Sequence, residues 1–153
     1  MDDLRIQMIK EAQKKFEEGN RSKHKERYIQ MIDEGKWHDH PENWNHRAWC
    51  YIISYSDRFF GSKYNFFQNL DNNDDPSWKW IAEYMKSDSY NSLSSGEFVI
   101  FNLAAHLYSK GKISFDITTM YHLDTKTFNM CLDAIRISEQ GLIPYAAMTT
   151  VAL

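Results

Sequence analysis

Cysteine is nearly absent from this sequence: Cys50 and Cys131 stand far apart and outside any CxxC spacing. That excludes a disulfide framework and a zinc ribbon, and it makes a cytoplasmic home the simplest expectation. No apolar run approaches the roughly 18 residues that a membrane span needs. The N-terminal stretch MDDLRIQMIKEAQKK is charged and amphipathic, so it reads as neither a signal peptide nor a membrane segment, and no membrane partner is expected. An excess of one charge is lacking too. Lys and Arg number 18 against 21 Asp and Glu, a net charge of −3, which argues against a surface that coats phosphates. Three Pro and six Gly leave few helix breakers. One domain is the natural expectation for 153 residues, a length at which roughly 68–70% of the unfolded surface is buried without staples.

What the chain has in plenty is rings: five Trp, nine Tyr and nine Phe. Large rings fill small cores. Trp and Tyr are also favoured anchors at protein interfaces, and this stock is large enough to serve both ends.

The apolar spacing is that of helices. Leu4, Met8, Ala12 and Phe16 recur every fourth residue, and Gly19-Asn20 closes that stripe. Ser22 caps a second helix with Tyr28, Ile29 and Ile32 inward and Gly35 at its end. Pro41 starts a third, through about residue 56, whose apolar residues cover more than half its circumference. It is expected to be the most buried helix of the N-terminal half. A short helix over 62–70 and another opened by Asp75-Pro76 follow. Ser94 and Glu97 have the spacing of a capping box, with Leu93 and Phe98 as its hydrophobic staple. That helix stops at Gly111. Leu123, Asp124 and Phe128 repeat the device before a last helix with Cys131, Leu132 and Ile135 inward. Between these two, Ile113, Phe115 and Ile117 alternate, the pattern of a short extended segment over 112–117. The expectation is an all-α bundle of about seven helices over residues 1–141, with an apolar tail, docked or disordered, over 142–153.

Few constellations suggest chemistry. His38, Asp39, His40, Glu42 and His46 place three imidazoles and two carboxylates within nine residues, a donor set suited to a divalent metal. In an extended segment His38 and His40 point the same way, while His46 lies in the following helix. The segment lacks the HExxH spacing, and it also reads as a polar loop feeding a helix N-terminus. Asp71, Asn73 and Asp75 imitate the start of an EF-hand loop, but Pro76 stands where glycine is required and Ala82 where the bidentate Glu belongs. Cys50 has His46 one helical turn earlier, yet its apolar neighbours describe an inert buried thiol. His106 reads as structural and His122 as a turn residue. The one basic run, Arg21 to Arg27, is diluted by Glu17, Glu18 and Glu26, so nucleic acid is not the expected partner.

Three phrases, short helix-start patterns, carry a resemblance: His24-Lys25-Glu26-Arg27-Tyr28, Leu93-Ser94-Ser95-Gly96-Glu97 with Asn102-Leu103-Ala104-Ala105 after it, and the run Phe128 to Arg136. Over residues 24 to 138 they resemble a group of small uncharacterised helical proteins of Gram-positive bacteria, their phages and mobile elements. The resemblance implies an accessory protein, carries over no catalytic residue, and adds nothing to the His-rich segment. The expected function is therefore non-enzymatic protein binding, in the manner of an inhibitor of a host defence system. A net charge of −3 is small for acidic mimicry, so an aromatic-anchored contact is the better mechanism. Its expected residues are Trp37, Trp44, Trp78 and Tyr90, rings that fall outside a clean helical stripe. The alternative is a small metal-dependent enzyme using His38, His40 and His46, with a divalent ion as its cofactor. A structural subunit that self-associates through the same rings is a third reading.

Overall fold

The computed structural model describes residue 3 and residues 22–37, 40–61 and 79–140. The expected stripe from Leu4 to Phe16, the helix over 62–70, the Asp75-Pro76 cap and the tail over 142–153 lie outside the described residues. The chain is all-α, and among the described residues there is no strand. In order come α1 (Ser22–Gly35), a 3-10 turn (Pro41–Asn43), α2 (Trp44–Tyr55) and the one-turn α3 (Asp57–Phe60). Then follow α4 (Lys79–Tyr84), α5 (Asp88–Asn91), α6 (Ser95–Tyr108), a 3-10 helix (Ile117–His122) and α7 (Thr125–Gln140). No helix among the described residues is long and apolar enough to cross a membrane.

The axis of this arrangement is α2, which packs against α1, α6 and α7. Every residue from Arg47 to Ser54 is buried. A helix that is apolar all round can only be stable with neighbours on every side. The expected burial of this helix is borne out, and its Tyr51 is tied to two neighbouring helices across the core. The Tyr51 hydroxyl donates to Asp133 Oδ2 on α7 at 2.8 Å, and the Tyr51 carbonyl accepts from His24 Nε2 on α1 at 2.6 Å.

The inward faces of the outer helices differ in detail from the periodicity. On α1 the buried line is His24, Tyr28 and Met31, while Ile29 is exposed and Ile32 half-buried. On α7 it is Met130, Cys131, Asp133, Ala134 and Ile137, with Leu132 and Ile135 at the margin. In both cases a polar side chain with a partner on α2 takes a core position and rotates the helix about its axis.

Helix ends follow the sequence closely. Ser94 Oγ accepts from Glu97 N at 3.2 Å, and Glu97 Oε1 accepts from Ser94 N at 2.9 Å. The same Glu97 carboxylate meets Arg58 at 3.2 Å, and Arg58 also donates to Ser92 Oγ at 2.7 Å, tying α3 to the start of α6. Asp124 Oδ1 accepts from Thr127 N at 2.7 Å and caps α7. Capping holds the Asp124 carboxyl below its ordinary range.

At two C-termini the glycine is displaced by one position. Trp37 N donates to Ile32 O and Lys36 N to Asp33 O, the bond pair of a Schellman motif, and Lys36 takes the left-handed place at φ 56°. Gly35 stands one residue earlier because the Trp37 ring lies over it: a Cβ there would fall 2.5 Å from the ring. The end of α6 repeats the pattern, with Gly111 N on His106 O, Lys110 N on Leu107 O, and Lys110 at φ 54°. Lys36→Gly is therefore expected to stabilise the fold by about 0.5–1 kcal/mol, because a left-handed non-glycine residue is strained. A thermal melt reads this as a raised midpoint, and an unchanged or lowered midpoint contradicts it.

Candidate protein-interaction surface

The sequence-nominated rings occupy different environments. Trp37 is half-buried, stacked on His46 with centroids 5.1 Å apart, and its carbonyl accepts a hydrogen bond from Arg47. Trp44 is half-buried at the junction of the 3-10 turn and α2, its backbone N–H donating to Pro41 O. Trp78 lies outside the described residues. Tyr90 corrects the expectation of an outward ring, for it is only 8% exposed. Its hydroxyl donates to Asn102 Oδ1 at 2.8 Å and its ring packs 5.9 Å from Phe101, because the short α5 tucks it beneath α6. Burial raises the Tyr90 phenol above its ordinary value.

His40 and His46 also do separate work. His40 Nδ1 accepts from Glu42 N at 3.4 Å, capping the 3-10 turn, and its ring is exposed. His46 lies between Trp37 and Tyr108, with the Tyr108 ring edge-on at 5.0 Å. Burial there, with the nearby Lys110 charge second, lowers His46 to about 4. Its neutral form is the one the fold holds. His38 and Asp39 lie outside the described residues, and among the described residues no group of three or more His, Cys, Asp or Glu is placed to hold a metal.

The thiols are fully buried, and burial pushes Cys131 up to about 12 and Cys50 well above its ordinary value. Neither is poised as a nucleophile. Of the basic run, His24 turns into the core and Arg27 is engaged by Asp57 at 2.7 Å, its guanidinium 4.7 Å above the Phe60 ring. Lys23 joins the same carboxylate at 3.6 Å.

The side chains that do face solvent are different ones. Ile117 is 59% and Tyr121 73% exposed, both on the 3-10 helix Ile117–His122, with Phe98 and Ile29 exposed elsewhere. This helix is firmly built. Asp116 Oδ1 accepts from Thr118 N at 3.0 Å and Thr118 Oγ1 at 2.6 Å, and Thr119 Oγ1 donates to Asp116 O at 2.7 Å. Buried Met120 pins its middle to the core. At its end, His122 and Leu123 form one wall of a cavity of about 290 Å³ that Tyr55, Ser95, Asp124 and Thr127 help to line.

Sequence reasoning missed this surface by reading Ile113, Phe115 and Ile117 as one alternating face. No strand forms there. Ile113 and Phe115 pack on the core, and the 3-10 helix starting at Ile117 turns that side chain outward. Asp116 two residues before Thr118 was the available signal, since this spacing starts a turn by side-chain capping. No family model, curated protein or solved structure matches this chain.

Proposed function

We propose that the protein is a non-enzymatic, protein-binding accessory factor that engages its partner through the 3-10 helix Ile117–His122, with Tyr121 as the anchor. One observation carries this reading. Two large apolar side chains project into water from a turn whose backbone is fixed by Asp116 and Met120. Ordering entropy opposes every interface, so a side chain held out by a rigid base loses less on binding than one on a loose loop. Tyrosine is enriched among the few residues that dominate interface energies. The adjoining cavity offers the partner a hollow beside the projection. The phage and mobile-element character implied by the sequence phrases makes a host defence protein the natural target, bound by apolar contact rather than by charge mimicry.

The test is affinity capture from a host lysate, compared between wild type and Ile117→Ser/Tyr121→Ala. A stoichiometric partner is expected with wild type and a more than tenfold weaker one with the double variant. Its melting temperature should stay near that of wild type, because both side chains are exposed. Equal capture by both forms overturns the reading. A Tyr121-dependent dimer in light scattering would reassign the surface to a second copy of the chain.

A further inference from the structure

A second cavity, of about 360 Å³, lies where the C-terminal ends of α6 and α7 meet the start of α2. Asn45, His106, Leu107, Lys110, Ser138 and Glu139 line it. The main-chain acceptors at the end of α6 are already used. Ala105 O takes Ser109 N, Leu107 O takes Lys110 N, and His106 O takes Gly111 N. Tyr108 O takes Asn45 Nδ2 at 2.9 Å. What remains for a ligand is a set of side chains.

Two of these side chains, His106 and Ser138, are left as acceptors by the bonds they already make. Asn45 donates one amide N–H to Tyr108 O, which fixes the orientation of the group and leaves its Oδ1 enclosed in the protein rather than open to the cavity. His106 Nδ1 is 2.8 Å from Ile113 O, a carbonyl, so Nδ1 carries the proton and Nε2 is left with its lone pair. Ser138 Oγ donates to Ile135 O at 2.6 Å and keeps its acceptor capacity. Glu139 adds an exposed carboxylate. Two helix C-termini contribute negative dipole ends. Against these stands one cation, Lys110. Leu107 supplies apolar wall, and the volume lies at the small end of ligand pockets.

We propose that this cavity binds a small aliphatic organic cation with donating N–H groups, a diamine or an alkylguanidinium. Glu139 is its counter-charge, His106 Nε2 and Ser138 Oγ accept its N–H groups, and Leu107 covers its methylenes. The proposal is independent of the surface at Tyr121 and uses none of its residues.

Titration calorimetry of the full chain with putrescine and with agmatine, at constant ionic strength, tests it. Saturable binding with a Kd below about 1 mM is expected for at least one of them. Glu139→Gln should weaken it at least tenfold. Lys110→Ala should tighten it severalfold by removing the resident cation, while Lys112→Ala, a neighbouring exposed lysine outside the cavity, should leave it unchanged. All three positions are exposed, so the variants keep the fold. Non-saturable heats, or equal responses of Lys110→Ala and Lys112→Ala, would mean general charge attraction and overturn the proposal. Binding of butyrate with none of either amine would overturn it as well, since Lys110 would then set the sign of the site.

Discussion

Trp49→Ala is expected to cost about 3–5 kcal/mol, a large share of the total stability of a domain of this size. The indole is 0% exposed and sits at the crossing of three helices. It meets Trp80 of α4 edge-on at 5.5 Å, Phe101 of α6 at 5.6 Å and Tyr108 of α6 at 5.5 Å. Removing it opens a cavity among rings that are themselves packed on one another: Trp80 also touches Tyr108, and Phe101 touches Phe59 and Tyr84. Such a cluster cannot collapse onto the gap without moving α4 or α6, so the cost should lie toward the upper end. Urea unfolding followed by circular dichroism reads the effect as a shift in midpoint. Trp49→Phe keeps a ring in the site and should lose clearly less, which preserves a measurement if the alanine variant does not fold. Half-buried Trp37→Ala should also lose less. A Trp49→Ala loss no greater than that of Trp37→Ala would show that the ring cluster is not the centre of the core.

The second large effect is on pH. Acidification from pH 7 to pH 4 is expected to withdraw about 3 kcal/mol of stability through His46 alone, each unit of displacement being worth about 1.4 kcal/mol. The folded chain holds His46 at about 4, first by burial and then by the Lys110 charge, whereas an unfolded histidine titrates near 6.5. Between those values the unfolded state carries more protons, so stability falls as pH falls. Well above pH 6.5 the ring is neutral in both states and contributes nothing to the slope. Below about 4 both states are charged and the loss is complete. The comparison that isolates this residue is wild type against His46→Phe, which keeps an aromatic ring between Trp37 and Tyr108 but cannot titrate. Urea midpoints measured from pH 7 to pH 4 should fall more steeply for wild type, and parallel curves would contradict the assignment.

Much of the architecture was legible because helix grammar is local. Ser94 and Glu97 cap α6 as their spacing requires, Asp124 caps α7, and the all-round apolar run from Ala48 to Ile53 becomes the central helix. Each of these depends on residues within a few positions of one another. Inward faces were less legible where a polar residue occupies the core. Periodicity does not nominate His24 or Asp133, because their burial is compensated by the Tyr51 carbonyl and hydroxyl, 27 and 82 positions away.

The candidate sites divide along the same line. Tyr90 looked like an outward ring because its four-residue helix is too short to show a stripe, and Ile117 was grouped with Ile113 and Phe115 because the three alternate as in an extended segment. Composition and spacing alone determined that this chain is helical, where the N-caps of α6 and α7 fall, and that its two thiols are buried. Tertiary structure decided which rings face water, which histidine is held neutral, and which acceptors gather between α6 and α7. Those outcomes depend on contacts between distant segments, and a contact between segments far apart leaves no periodic trace in either one.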